Sequence, residues 1–116
     1  NQDIYLSRYV NHAYETPITL PANINTEHKE FCPYIDVNEE YILFSRISPA
    51  TKKADLFISK RQAHEWTNPR RLSDNINSEA HDLCPVISPC GKYLFFLSTR
   101  SGISKIYWVK TSFLNE

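Results

Sequence analysis

The sequence predicts an all-β chain of antiparallel four-stranded units, repeated about two and a quarter times. Three observations carry this. First, residues 20–35, LPANINTEHKEFCPYI, lie over residues 72–87, LSDNINSEAHDLCPVI, at an offset of 52 with eight identities, among them Asn25/Asn77, Glu27/Glu79, Cys32/Cys84 and Pro33/Pro85. Second, the offset persists on both sides: YILF at 41–44 matches YLFF at 93–96, YETPITL at 14–20 matches WTNPRRL at 66–72, and DIYLS at 3–7 matches DLFIS at 55–59. A third copy of the last element, KIYWV at 105–109, follows at an offset of 50 because the preceding loop is shorter. Third, no helical period runs over a useful length, and the segments rich in Ile, Val, Tyr and Phe are short and separated by turn residues such as Asn38, Pro49, Asn68, Pro89 and Gly91.

Taken in order, the strands of a unit are a (CPYIDV or CPVIS), b (YILFS or YLFFL), c (DIYLS, DLFIS or KIYWV) and d (ITL or RRL). The chain then reads c, d, a, b, c, d, a, b, c, nine strands in all, with the links 26–31 and 78–83 as the only helical turns. Strand b is apolar on both pleat faces, which is expected of a strand covered on both sides. Ile42, Phe44, Ile58, Leu94, Phe96 and Ile106 are therefore expected in the core, with Cys90, Lys52, Lys53 and Arg70 exposed. Four antiparallel strands repeated at about 50 residues are the signature of β-propeller blades. On this reading residues 1–30 are a partial blade (strands c and d) and its link, 31–82 a complete blade and link, and 83–116 a last blade lacking its outermost strand. End blades of an open array leave apolar faces wet. With two to three large side chains per face, at roughly 1.5 to 3 kcal/mol each, this costs on the order of 6 to 18 kcal/mol over two ends. That equals the whole stability of a typical domain, about 5 to 15 kcal/mol. Missing blades or self-association are thus expected to cover the faces. The mid-blade start and the absence of Met favour a C-terminal portion of a longer propeller over self-assembly of copies.

Composition narrows the function classes. The 13 basic residues balance 13 acidic ones, which argues against a nucleic-acid partner or an anionic membrane bound through charge. The longest apolar run is five residues, Tyr93 to Leu97, so no membrane insertion is expected, and no signal peptide is present in this chain. Two glycines, Gly91 and Gly102, are too few for a Gly-rich phosphate loop. There is no Gly-x-Ser-x-Gly elbow and no His-Glu-x-x-His pair; His64-Glu65-Trp66 only superficially approaches the latter. No catalytic residue, metal ligand or cofactor is assigned.

The duplicated link from strand d to the next strand a gathers Glu27, His28, Glu30, Glu79, His81 and Asp82, residue types that contact polar ligands, bind metals or move protons. Their spacing fits no metal motif. Loop chemistry accounts for them as well: Thr26 and Ser78 cap a turn, Glu27 and Glu79 sit at its positive end, and the Asn side chains satisfy loop amides. Cys32 and Cys84 occupy equivalent places on successive innermost strands; a sheet spacing of about 10 Å argues against a disulfide and for small buried residues facing the neighbour. Trp66 and Trp108 could stack on sugar rings, but their places in the repeat fit packing roles. Arg70-Arg71, Lys60-Arg61 and Lys52-Lys53 read as a solvated outer rim.

The stretch Asp82-Leu83-Cys84-Pro85-Val86-Ile87-Ser88-Pro89-Cys90-Gly91-Lys92-Tyr93-Leu94-Phe95-Phe96, followed by Ser98-Thr99-Arg100-Ser101-Gly102 and Ile106-Tyr107, resembles the TolB-type, WD-like β-propeller repeat. The middle unit departs from the pattern, with Asp36-Val37-Asn38-Glu39-Glu40 in place of the Ser-Pro-Asp-Gly-Lys turn, and Cys90 stands where the family has Asp. The resemblance implies a periplasmic or extracellular location and a scaffold that binds a protein or a small polar ligand, with no universal catalytic residue. The leading expectation is a non-enzymatic scaffold with contacts on the links at the channel mouth. The alternative is the accessory or catalytic propeller of a carbohydrate- or peptide-processing enzyme.

Overall fold

The computed structural model describes residues 2–115, and they form short antiparallel strands throughout. The first unit holds β1 (Tyr5–Leu6), β2 (Tyr9–Val10), β3 (Ala13–Tyr14) and β4 (Ile18–Thr19), of which β1 pairs with β4 and β2 with β3. The second holds β5 (Lys29–Ile35), β6 (Tyr41–Ile47) and β7 (Ala54–Gln62), paired in that order. The far edge of β7 takes β8 (Glu65–Trp66) at one end and β9 (Arg70–Arg71) at the other. The third sheet is β10 (Asp82–Ile87), β11 (Tyr93–Ser98) and β12 (Lys105–Lys110), followed by a 3-10 turn, Thr111–Asn115. None of these sheets closes on itself.

Among the described residues twelve strands replace the nine expected. The surplus comes from strand c continuing into a tight hairpin, β2–β3 and β7–β8, whose loop residues Asn11-His12 and Ala63-His64 all have positive φ. That backbone is what the right-handed twist of a two-residue hairpin demands, and Asn supplies it more readily than Ala. The links 26–31 and 78–83 are not helical turns. The turn bonds lie a few residues earlier, where Pro21 C=O accepts from Ile24 and Asn25 N–H, and Ser73 C=O from Ile76 and Asn77 N–H. The 3-10 turn instead follows β12 and sinks Phe113 into the core.

In the middle unit, Asp36 to Glu39 makes the same reversal as Ser88 to Gly91: Glu39 N–H donates to Asp36 C=O at 2.8 Å and Gly91 N–H to Ser88 C=O at 2.8 Å. Glu39 adopts a φ of 56°, a conformation that Gly91 takes at 77° without a Cβ to crowd. β5 and β10 both carry a bulge, between Phe31 and Tyr34 and between Leu83 and Val86. Pro33 and Pro85 sit inside these bulges, where a missing N–H removes no ladder bond, and the preceding Cys32 and Cys84 have positive φ.

The apolar faces assemble two clusters. Ile4 and Ile24 of the first unit pack on Ile42 and Phe44, with Leu20 and Phe57 at the margin. The equivalent residues of the next unit, Leu56, Ile76 and Leu72, pack on Leu94 and Phe96, with Tyr107 at the margin. The second cluster is larger because Leu43, Ile58, Tyr34 and Tyr41 join it from β5, β6 and β7. Among the described residues the first unit has no counterpart of β5 and β6, and a cleft of about 610 Å³ lies there, bordered by Ile4, Tyr5, Leu20, Ile35, Ile42 and Trp66.

Five of the six expected core residues are buried, and Cys90, Lys52, Lys53 and Arg70 are exposed. Ile106 is the exception, 71% exposed. Its equivalent Leu56 is fully buried because Leu72, Ile76 and Asn77 close over it, and no such segment lies over Ile106 among the described residues. Trp108 is likewise 58% exposed, with its ring edge-on to Tyr93 at 5.3 Å, although its equivalent Ile58 is buried.

Candidate functional site

Each link is built around one buried acid. The Glu30 carboxylate accepts from Thr26 N–H at 3.0 Å, Thr26 Oγ1–H at 2.6 Å and Arg46 Nε–H at 2.8 Å. At the next link Asp82 accepts from Ser78 N–H at 2.6 Å, Ser78 Oγ–H at 2.8 Å and Arg100 at 2.9 Å. Both arginines also donate to the link backbone, Arg46 to Ile24 C=O and Arg100 to Ile76 C=O. Each guanidinium lies over two rings: Arg46 is 5.5 Å from the centroid of Phe44 and 4.8 Å from Phe57, and Arg100 is 5.4 Å from Phe96 and 4.8 Å from Tyr107. Neither carboxylate side chain has any exposed surface. Burial alone would push the Asp82 carboxyl up, but donors from Ser98, Ser78 and Arg100 outweigh it and hold it below the ordinary carboxylate value.

An asparagine locks each link to the preceding unit. Asn25 Oδ1 accepts Ile4 N–H at 2.7 Å while Nδ2 donates to the C=O of Ile4 at 2.8 Å and of Leu20 at 3.2 Å. Fifty-two residues on, Asn77 does the same with Leu56 N–H at 2.8 Å, Leu56 C=O at 3.1 Å and Leu72 C=O at 2.9 Å. Thr26 Oγ1 and Ser78 Oγ accept from His28 N–H and Ala80 N–H, which caps the turn as loop chemistry predicts.

The six candidate residues therefore divide. Glu30 and Asp82 are engaged inside the links. Glu27 and Glu79 are exposed, and His28 and His81 are half-buried. His81 is held on two sides, its Nδ1 accepting Ala54 N–H at 3.2 Å and its backbone N–H donating to Thr99 Oγ1 at 3.0 Å. Among the described residues no three His, Cys, Asp or Glu side chains come together as metal ligands would.

Residue spacing did not single out the arginines, because Arg46 and Arg100 stand 100 − 46 = 54 apart, two residues out of register with the repeat. The usable signal was the repeated acid itself, since a buried carboxylate demands a cation. The ion pairs of Arg71 with Asp55 and Asp74, both 2.8 Å, were equally hidden in what reads as a solvated rim. Trp66 packs on the first cluster, lies 4.6 Å under Arg61 and gives its C=O to Asn23, so its role is in packing.

The cysteines are nearer than sheet spacing suggests. β5 and β10 converge at their bulges, and Cys84 N–H donates to Ser45 Oγ on β6 at 3.0 Å. Both are free and half-buried. Burial first, then a hydrogen bond and charge from Cys32, push the Cys84 thiol up to about 12, which leaves it protonated and inert at neutral pH.

No family model, no curated protein and no solved structure matches this chain.

Proposed function

We propose that the chain is a non-enzymatic binding scaffold, part of a TolB-like β-propeller from an exported bacterial protein, with its partner contacts on the two links. The observation that carries this reading is the repeated acid, arginine and asparagine network. It rigidifies two equivalent loops at the same end of successive strands and leaves Glu27 and Glu79 exposed beside His28 and His81. Rigid links offering polar side chains suit recognition of a protein or a small polar ligand, because little conformational entropy remains to be lost on binding. The blade arrangement is supported by the recurrence of one interface, Ile4, Leu20 and Ile24 on Ile42 and Phe44, then Leu56, Leu72 and Ile76 on Leu94 and Phe96.

The test is a heteronuclear NMR titration of the full chain with amino acids, monosaccharides, inorganic phosphate and zinc chloride. Shifts at residues 26–30 and 78–82 produced by a polar organic ligand, and lost in Glu27→Gln/Glu79→Gln, are expected. Tight zinc binding through Glu27, His28, Glu79 or His81 would replace the scaffold with the catalytic propeller. Absence of any link response across the panel would remove the links as the contact surface.

A further inference from the structure

Two thiols open the two bulges of the repeat. Cys32 and Pro33 together lie opposite Phe44, and Cys84 and Pro85 together lie opposite Phe96. The first residue of each bulge has a left-handed backbone, φ 49° at Cys32 and 56° at Cys84. A bulge of this kind ordinarily takes glycine there, because a Cβ is crowded in that conformation. This sequence places cysteine at the position twice, at the 52-residue offset of the repeat. A bulge also re-aims its side chain away from the regular alternation of the strand.

The two bulges meet. Phe31, the residue before Cys32, pairs across β5 and β6 with Ser45, and Ser45 Oγ accepts the Cys84 N–H at 3.0 Å. Ser45 is fully buried, so β10 is fastened to the β5–β6 pair at the backbone of Cys84 itself. Next to burial, a hydrogen bond and charge from Cys32 act on the Cys84 thiol, as expected of sulfurs that face each other. Both thiols are free and half-buried, within reach of a small reagent. Among the described residues no His, Asp, Glu or further Cys joins them to complete a three-ligand metal set, so a pair is what the site offers.

We propose that Cys32 and Cys84 are an oxidation site, a thiol pair that a disulfide donor converts into a cross-link between β5 and β10. The Cys32 thiolate attacks one sulfur of the donor, the donor S–S bond breaks, and a mixed disulfide forms as the first donor thiol leaves. The hydrogen bond and charge from Cys32 that helped hold Cys84 protonated are then gone. The Cys84 sulfur attacks that of Cys32, and the second donor thiol leaves with the Cys84 proton. One protein disulfide replaces two thiols, and the donor carries away two electrons and two protons as two thiols. The bridge joins the second unit to the third and lies two residues beyond Glu30 and Asp82, so it fixes the separation of the two links. It uses none of the exposed link side chains, and the scaffold reading and the cross-link can fail separately.

The test uses the full chain carrying Cys90→Ser, which removes the exposed third thiol, in mixtures of reduced and oxidised glutathione at neutral pH. Acid quenching, alkylation and non-reducing digestion with mass spectrometry identify the products. A Cys32–Cys84 peptide pair formed under native conditions within single chains is expected. The oxidised chain should have a urea midpoint about 1 M or more above the reduced one, since the bond closes a long loop in the unfolded state. A further Cys84→Ser substitution should leave glutathione held on Cys32. Cys32→Ser should instead slow glutathione uptake at position 84 by about tenfold relative to that, because burial of Cys84 remains. The unaltered chain should give the same peptide pair, which keeps the test intact where a serine variant fails to fold. The proposal is overturned by Cys32 and Cys84 thiols that stay free while oxidised glutathione is in excess, by pairing that appears only in urea, by cross-links only between chains, or by an oxidised chain no more stable than the reduced one.

Discussion

Asn77→Ala is the most informative single substitution. The side chain is 1% exposed and its three hydrogen bonds reach Leu56 N–H, Leu56 C=O and Leu72 C=O. Leu72 C=O keeps a long bond from Arg71 at 3.4 Å and Leu56 C=O keeps Leu72 N–H at 3.0 Å, but Leu56 N–H is left buried and unpaired. About 1 to 3 kcal/mol for the unsatisfied N–H, with about 0.5 to 1.5 for each of the other two lost bonds, makes the loss about 2 to 6 kcal/mol. The same substitution at Asn25 removes the same pattern of bonds from a half-buried side chain, where water enters and replaces them. Its expected effect is about 0.5 to 2 kcal/mol. Urea denaturation followed by circular dichroism measures both. A clearly larger drop in unfolding free energy for Asn77→Ala than for Asn25→Ala meets the expectation. Equal effects at the two sites, or a loss at Asn77 below about 1 kcal/mol, would refute the argument that the amide clamp holds the units together.

Three further outcomes are expected. Leu56→Ala should destabilise by about 2 to 5 kcal/mol and the equivalent Ile106→Ala by no more than about 0.5, because only the first empties a packed site; thermal denaturation decides, and parity between them would contradict the observed burial. Asp82 titrates below its ordinary value in the folded chain, so its stabilising contribution is complete above about pH 4 and is lost as pH falls through the lower folded pKa. Asp82→Asn should flatten that acid limb in urea midpoints measured against pH, and an unchanged limb would show that other carboxylates control it. In timed alkylation at neutral pH with mass-spectrometric readout, Cys90 should react first and Cys84 last. The Ser88 hydroxyl and Lys92 N–H lower the exposed Cys90 thiol, while burial and Cys32 raise that of Cys84. Modification of Cys84 ahead of Cys90 would mean that the bulges open in solution.

Local pattern determined much of this protein. Alternation, turn residues and self-similarity are encoded within a few residues of one another, so the strands a to d and their antiparallel order, the buried Ile42, Phe44, Ile58, Leu94 and Phe96, and the turn-capping roles of Thr26 and Ser78 were all legible before any coordinates. The tertiary structure decided what depends on a neighbour. Glu30 and Asp82 resemble Glu27 and Glu79 in sequence, yet only the first pair meets an arginine, Arg46 within β6 or Arg100 in the turn just after β11, and burial follows from that meeting. Cys32 and Cys84 are drawn together because bulged strands converge where flat sheets would stay apart. Leu56 and Ile106 occupy the same place in the repeat, but side-chain burial is a property of what packs against a residue. An asparagine from a later link closes over the one, and among the described residues no such segment closes over the other, which stays 71% exposed.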